Sequence, residues 1–155
     1  MKKYFNNKIN YFLIIFIFCF LDQFSKIYIN SNLNNLLNKD LFIFTIESVH
    51  NYGAAFNILS GNRLFLSFIS LISTIILSYF IFIRENKLIN KYGLSFILAG
   101  SIGNGVDRIL NGYVIDFIKI KFIDFPVFNI ADIVINVGVL ILIISYFRNK
   151  NKFDE

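Results

Sequence analysis

Leu64 to Ile83 reads LFLSFISLISTIILSYFIFI, an unbroken run without a single charge. A helix needs roughly 20 apolar residues to cross the hydrocarbon core of a bilayer, and this run supplies them. Comparable runs follow the amino terminus, precede Asn111 and follow Phe128. Together they predict an all-α integral membrane protein with four transmembrane helices, at about 9–29, 64–83, 92–110 and 129–147. All belong to one membrane-embedded domain, residues 1–155. The composition agrees. The chain is 56% hydrophobic, with one Pro and no Trp, and its apolar residues come in blocks rather than alternating with charge.

The net charge of +5 does not point to nucleic acid. Lys2, Lys3 and Lys8, then Arg84, Lys87 and Lys91, then Arg148, Lys150 and Lys152 make up nine of the 15 basic residues. Four spans put these three short segments on one side, and the positive-inside rule makes that side cytoplasmic. Both termini are then cytoplasmic, and the segments at about 30–62 and 111–128 are external loops. The basic amino terminus and the apolar run behind it resemble a secretory signal peptide. No small-residue cleavage site follows, however, and the run meets Asp22, Ser25 and Lys26, so a retained first helix is expected. Cys19 is the single cysteine. It can form no internal disulfide, and its apolar neighbours fit a packing role. With Phe18 before it, it lacks the small residues that a bacterial lipidation site needs.

Against this apolar background, the stretch from Gly100 to Ile133 concentrates Asn104, Asp107, Arg108, Asp116, Asn129 and Asp132. An Asp or Arg at a helix centre costs roughly 2.5–3.5 kcal/mol even on a lenient insertion scale. Gly100, Asn104, Asp107 and Arg108 form one polar stripe by i, i+4, i+7, i+8 spacing. Asn129, Asp132 and Asn136 share a face by i, i+3, i+7. Asp22 and Lys26 stand four apart, acid before base. Ala99 with Gly103 and Ser101 with Gly105 have the spacing that lets membrane helices approach closely, and Ser67, Ser70, Thr74 and Ser78 fit packing roles. In the first external loop, Leu41 to Ile46 reads as a short strand on the membrane surface. It is followed by His50, Asn51 and Gly53. Val114 to Phe122 is an amphipathic stretch. A small extracytoplasmic subdomain containing β-strand is therefore expected.

With this topology every unusual polar residue lies at the outer membrane–water boundary. A transporter or channel subunit, the main alternative, would place ionisable groups nearer the midplane. A non-catalytic assembly protein would tolerate Asp→Asn changes at the outer face. Nucleophiles are poor: Cys19 is enclosed, and no Ser sits in a recognisable elbow. No His pair or His-Glu spacing supports a metal. Carboxylates remain. Two held close cannot both ionise comfortably, so one keeps a proton and the other can activate water. Plainer roles stand beside this one. Asn129 can N-cap the fourth helix with Asp132 in its first turn. Asp107 and Arg108 can tie helix ends together, Asp22–Lys26 can be an interfacial ion pair, His50 a surface residue and Asp124 a turn residue. Periodicity does not separate Asp107 from Asp116 as the partner of Asp132.

Asp22-Gln23-Phe24-Ser25-Lys26, Asn51-Tyr52-Gly53-Ala54-Ala55-Phe56, Gly103-Asn104-Gly105-Val106-Asp107-Arg108 with Val114-Ile115-Asp116-Phe117, and Phe128-Asn129-Ile130-Ala131-Asp132 resemble the signature blocks of the lipoprotein signal peptidases. These are the type II signal peptidases of bacteria. The resemblance covers nearly the whole chain in the right order, with Asn57 standing where a Ser is commoner. It implies an aspartic endopeptidase of the bacterial inner membrane, with its active site at the outer face. Such an enzyme cuts diacylglyceryl-modified prolipoproteins just before the lipidated cysteine. By position, Asp116 and Asp132 match the catalytic pair. Asp22, Lys26, Asn51, Gly100, Asn104, Asp107, Arg108 and Asn129 match substrate-binding or supporting positions. No cofactor or metal is implied, and the expected partners are the prolipoproteins and membrane lipids, with a monomeric enzyme.

Overall fold

The structure, a computed structural model, describes residues 2–32, 36, 40–54, 58–84 and 87–150. Ala55 and Phe56 of the second motif, Asn57 after it, and Lys152 of the basic tail lie outside the described residues. Among those described, the long helices are α1 (Lys2–Ser31), α2 (Arg63–Phe82), α3 (Leu88–Leu110) and α4 (Ile130–Lys150). The strands are β1 (Asp40–Leu41), β2 (Phe44–Asn51) and β3 (Val114–Ile120).

By length and composition, three helical segments can cross a membrane: Asn7–Ser31, Arg63–Phe82 and Ile130–Arg148. The third expected span, α3, is 23 residues long but is not among them. Its neighbours explain why. It packs against α1, α2 and α4 and buries Lys91, Ser95, Asn104 and Asp107 beside four glycines. A helix facing protein on several sides does not need the uniformly apolar surface of one facing lipid. The outer helices carry that surface. Phe12, Phe16, Phe20, Phe24 and Tyr28 stand exposed on α1 and stack at i, i+4 spacing, ring centroids 5.9–6.4 Å apart.

Close approach in the bundle comes from glycine. A Cβ on Gly138 of α4 would lie 2.6 Å from the Gly93 carbonyl oxygen of α3, and one on Gly100 would run into the Ala131 carbonyl oxygen. Gly103 lies against the Asp22 carboxylate, and Gly105 meets Ser70 at 3.0 Å. Gly93 and Gly138 are 45 residues apart in sequence, so no local spacing marks them as a pair. Gly138→Leu should force α3 and α4 apart and lower the melting temperature, at a cost of about 1–3 kcal/mol or more. An unchanged melting temperature in detergent would contradict this packing.

The sheet is antiparallel in the order β1-β2-β3. The strand expected at Leu41–Ile46 lies further along the chain. Phe42 adopts φ 49 in a turn, and the long strand starts only at Phe44. The amphipathic stretch from Val114 is β3, pairing with β2 from Phe44↔Ile120 to Asn51↔Val114. Ile46 and Phe117 pack with Ile29 at the end of α1, fixing the sheet to the bundle. Phe128 bridges to Ile118, with N–H···O bonds of 2.8 and 3.0 Å. That bridge puts Asn129, at the start of α4, beside Asp116 on β3.

Candidate active site

Polar side chains from both ends of the sequence meet where α1, α3, α4 and β3 converge. Lys26 is 1% and Asp22 0% exposed, so this ion pair is enclosed by the protein. The Lys26 Nζ donates to Asp22 Oδ2 at 2.7 Å, to Asp107 Oδ2 at 2.8 Å and to Asn104 Oδ1 at 3.0 Å. One ammonium between two carboxylates suits a low-dielectric setting, where a lone charge would be costly. Asp22 Oδ1 accepts the Ala131 N–H at 2.9 Å. A carboxylate thus sits on the amino-terminal end of α4, where free N–H groups and the helix dipole favour it. Gln23 was not singled out for chemistry, yet its Nε2 donates to Asp107 Oδ1 at 3.1 Å and to the Gly103 carbonyl at 3.0 Å. Its signal was present in the Asp22–Lys26 block, but nothing in the spacing said which way it turned.

Asn129 caps α4 and also hydrogen-bonds Asp116 and Asn104. Its Oδ1 accepts the Asp132 N–H at 3.0 Å, and its own N–H donates to Asp132 Oδ2 at 3.1 Å. This reciprocal capping box opens α4. Its Nδ2 donates to Asp116 Oδ1 at 2.7 Å and to Asn104 Oδ1 at 3.0 Å. Asn51 Nδ2 donates to Asp116 Oδ2 at 3.0 Å, and Asn104 Nδ2 to Asp132 Oδ1 at 2.9 Å. Each carboxylate is therefore held by amides on both oxygens. Arg108 donates to the Gly53 carbonyl at 2.9 Å, steadying the turn after Asn51, while its Nε is buried without a hydrogen-bond partner among the described residues.

Asp116 and Asp132 both face a cavity of about 690 Å³, together with Asn51, Asn104 and Arg108. Asp107 does not line it, being turned to Lys26 and Gln23. That arrangement separates Asp107 from Asp116, which periodicity could not do. Gly100 lies at the α3–α4 contact rather than in the cavity. His50 is exposed and stacks on Tyr113 at 4.0 Å. Among the described residues no three His, Cys, Asp or Glu side chains cluster as a metal site would.

Burial pushes the Asp116 carboxyl up to about 6; the nearby Asp132 carboxylate adds to this, while the Asn51 and Asn129 amides and Lys26 oppose it. An unfolded Asp titrates near about 3.9. Between these values the folded chain holds a proton that the unfolded chain has released. Stability from Asp116 is therefore full below about pH 4 and is lost as pH rises through about 6. The melting temperature of Asp116→Asn relative to the parent should climb across that window, because Asn cannot ionise. A flat difference would contradict the raised value.

Two carboxylates facing one cavity, in a bundle with helices long and apolar enough to cross a membrane, can act as general acid and base. Comparison with known proteins gives the family. Residues 14–148 match the family model described as Signal peptidase (SPase) II. The chain is 36% identical to the lipoprotein signal peptidase of Enterococcus faecalis, covering 94% of this chain and 92% of that one. It is 42% identical to that of Caldicellulosiruptor bescii, covering 85% and 87%. A bacterial membrane enzyme solved in meso at 2.3 Å superposes with a TM-score of 0.83 at 35% identity, covering 92% of this chain and 90% of that one. The chain belongs to the signal peptidase II family, and it is a peptidase.

Proposed function

We propose that this chain removes the signal peptide from diacylglyceryl-modified prolipoproteins, cutting before the lipidated cysteine, with Asp116 and Asp132 as its catalytic pair. The observation that carries the assignment is two carboxylates facing one cavity, Asp116 held by two side-chain amides and Asp132 by one side-chain amide and one main-chain N–H. The ionised carboxylate takes a proton from water as the oxygen attacks the scissile carbonyl. The protonated one donates to the carbonyl oxygen, and the pair then returns a proton to the departing amine. Arg108 lines the cavity, and with its Nε lacking an acceptor among the described residues it can donate to a substrate carbonyl. Asp22, Lys26, Asn104, Asp107 and Asn129 support the pair, and Gly100 lets α4 approach closely enough to carry Asp132. Nothing in the relatives supports a transporter or channel subunit. The deciding experiment incubates purified protein with a diacylated prolipoprotein and looks for the shortened product on a gel. No product from folded protein would overturn the assignment.

In this reading α3 crosses the bilayer as a fourth span, carried by its buried polar face, within one domain. Both termini are cytoplasmic, and the monomer works at the outer face of the bacterial inner membrane, against its lipids. A substrate can then keep its acyl chains in the bilayer while its scissile bond sits at headgroup level. Reporter fusions after Lys87 and Lys150 should read as cytoplasmic, and fusions near Lys39 and Ile120 as external. An external signal at Lys87 would invert the arrangement.

A further inference from the structure

Below the carboxylates the cavity wall does not become wholly apolar. Ser73 of α2, Ser101 of α3 and Asn136 of α4 line it, and among the described residues none of these side chains is hydrogen-bonded. Their neighbours behave differently. Ser70, Thr74 and Ser95 each donate to the carbonyl four residues earlier, at 3.0, 2.8 and 2.8 Å. That is how a hydroxyl is satisfied within a membrane helix. A polar group left unpaired in apolar surroundings is unfavourable, so two hydroxyls and one carboxamide on one cavity wall, the carboxamide of Asn136 exposed there, call for a ligand with main-chain-like polarity.

We infer that Asn136, assisted by Ser73 and Ser101, binds the main chain of the signal peptide about two residues before the bond that is cut. This rests on the proposed peptidase function. A helical substrate has its carbonyls engaged in its own hydrogen bonds, so the scissile bond reaches the carboxylates only where the peptide is extended. The N–H and C=O groups freed by extension then need partners at membrane depth. Asn136 lies four residues beyond Asp132 on the same face of α4, about 6 Å along the axis. An extended strand advances about 3.3 Å per residue, so that distance corresponds to about two residues. The direction also fits: α4 runs inward from the carboxylates, and the apolar part of a signal peptide lies on the inner side of its cleavage point. A carboxamide offers both donor and acceptor, as a peptide group requires. A glyceryl ester, the other polar group of this substrate, could only accept.

The test uses the full-length protein, a diacylated prolipoprotein peptide, and versions in which each of the last four signal-peptide amides is replaced in turn by an ester. Asn136→Leu should keep the parent melting temperature and raise KM about tenfold, the size of one neutral hydrogen bond, with kcat within about twofold. Asn136→Gln should recover part of the loss. On the unaltered protein, the ester two residues before the cut should produce the same KM increase. Combined with Asn136→Leu it should be no worse than either change alone. A parent-like KM for Asn136→Leu, or losses that multiply with every ester, would overturn the inference. The ester series on the unaltered protein decides the matter even if the variant folds poorly. Failure of the unaltered protein to cut the all-amide peptide would instead overturn the peptidase function, and this inference with it.

Discussion

Asp116→Asn and Asp132→Asn should each abolish cleavage of a diacylated prolipoprotein while the protein stays folded in the membrane. Asn keeps the shape of Asp and can still accept a hydrogen bond, but it cannot take a proton from water. In Asp132→Asn the side-chain oxygen can still accept the Asn129 N–H, so the first turn of α4 keeps its cap. The loss should be on the order of 10²–10⁴ or more, the usual range for proton transfer by a positioned group. The double variant should be hardly worse than either single one, because groups acting as a unit are not additive. Asp107→Asn should lower activity or stability only in part. Chelators and serine- or thiol-directed reagents should leave cleavage intact. Substantial turnover by Asp132→Asn protein, verified free of host enzyme, would sink the proposed pair.

The largest loss of stability should come from Lys26→Met. The substitution nearly preserves length and apolar bulk but leaves Asp22 and Asp107 buried without the cation between them. Removing one partner from a buried ionic group typically costs about 3–5 kcal/mol. The damage should spread to α4, because Asp22 also holds the Ala131 N–H. Asp22→Ala and Lys26→Ala should each lower the melting temperature or the yield, and the double variant should lose less than their sum. Strict additivity would show that the two side chains do not share an interaction.

Much of this could be read from sequence, for identifiable reasons. An uncharged run such as Leu64–Ile83 satisfies a length requirement set by the bilayer, and helical spacing gathers Asn104, Asp107 and Arg108 on one stripe without any knowledge of neighbours. Spacing says which residues share a face, however, and not what that face meets. So the different surroundings of Asp107 and Asp116 were hidden, since they depend on Lys26 and Gln23 arriving from another helix. The Gly93–Gly138 contact was hidden for the same reason. Apolarity alone also misrepresents α3, whose polar and glycine-rich sequence reflects a protein-facing position. The strand was misplaced at Phe42, whose positive φ is a conformation that a bulky residue rarely announces.

The hydrogen bond from Ala131 to Asp22 spans 109 positions of the sequence. A ribosome makes α1 first and α4 last, so Asp22 enters the bilayer long before the helix end it holds has been synthesised. Any chain stopped short of Ile130 lacks Asp132 and also the N–H that engages Asp22. On the proposed assignment, the half-made protein lacks one of its two catalytic carboxylates and leaves a buried carboxylate, that of Asp22, without the N–H it accepts.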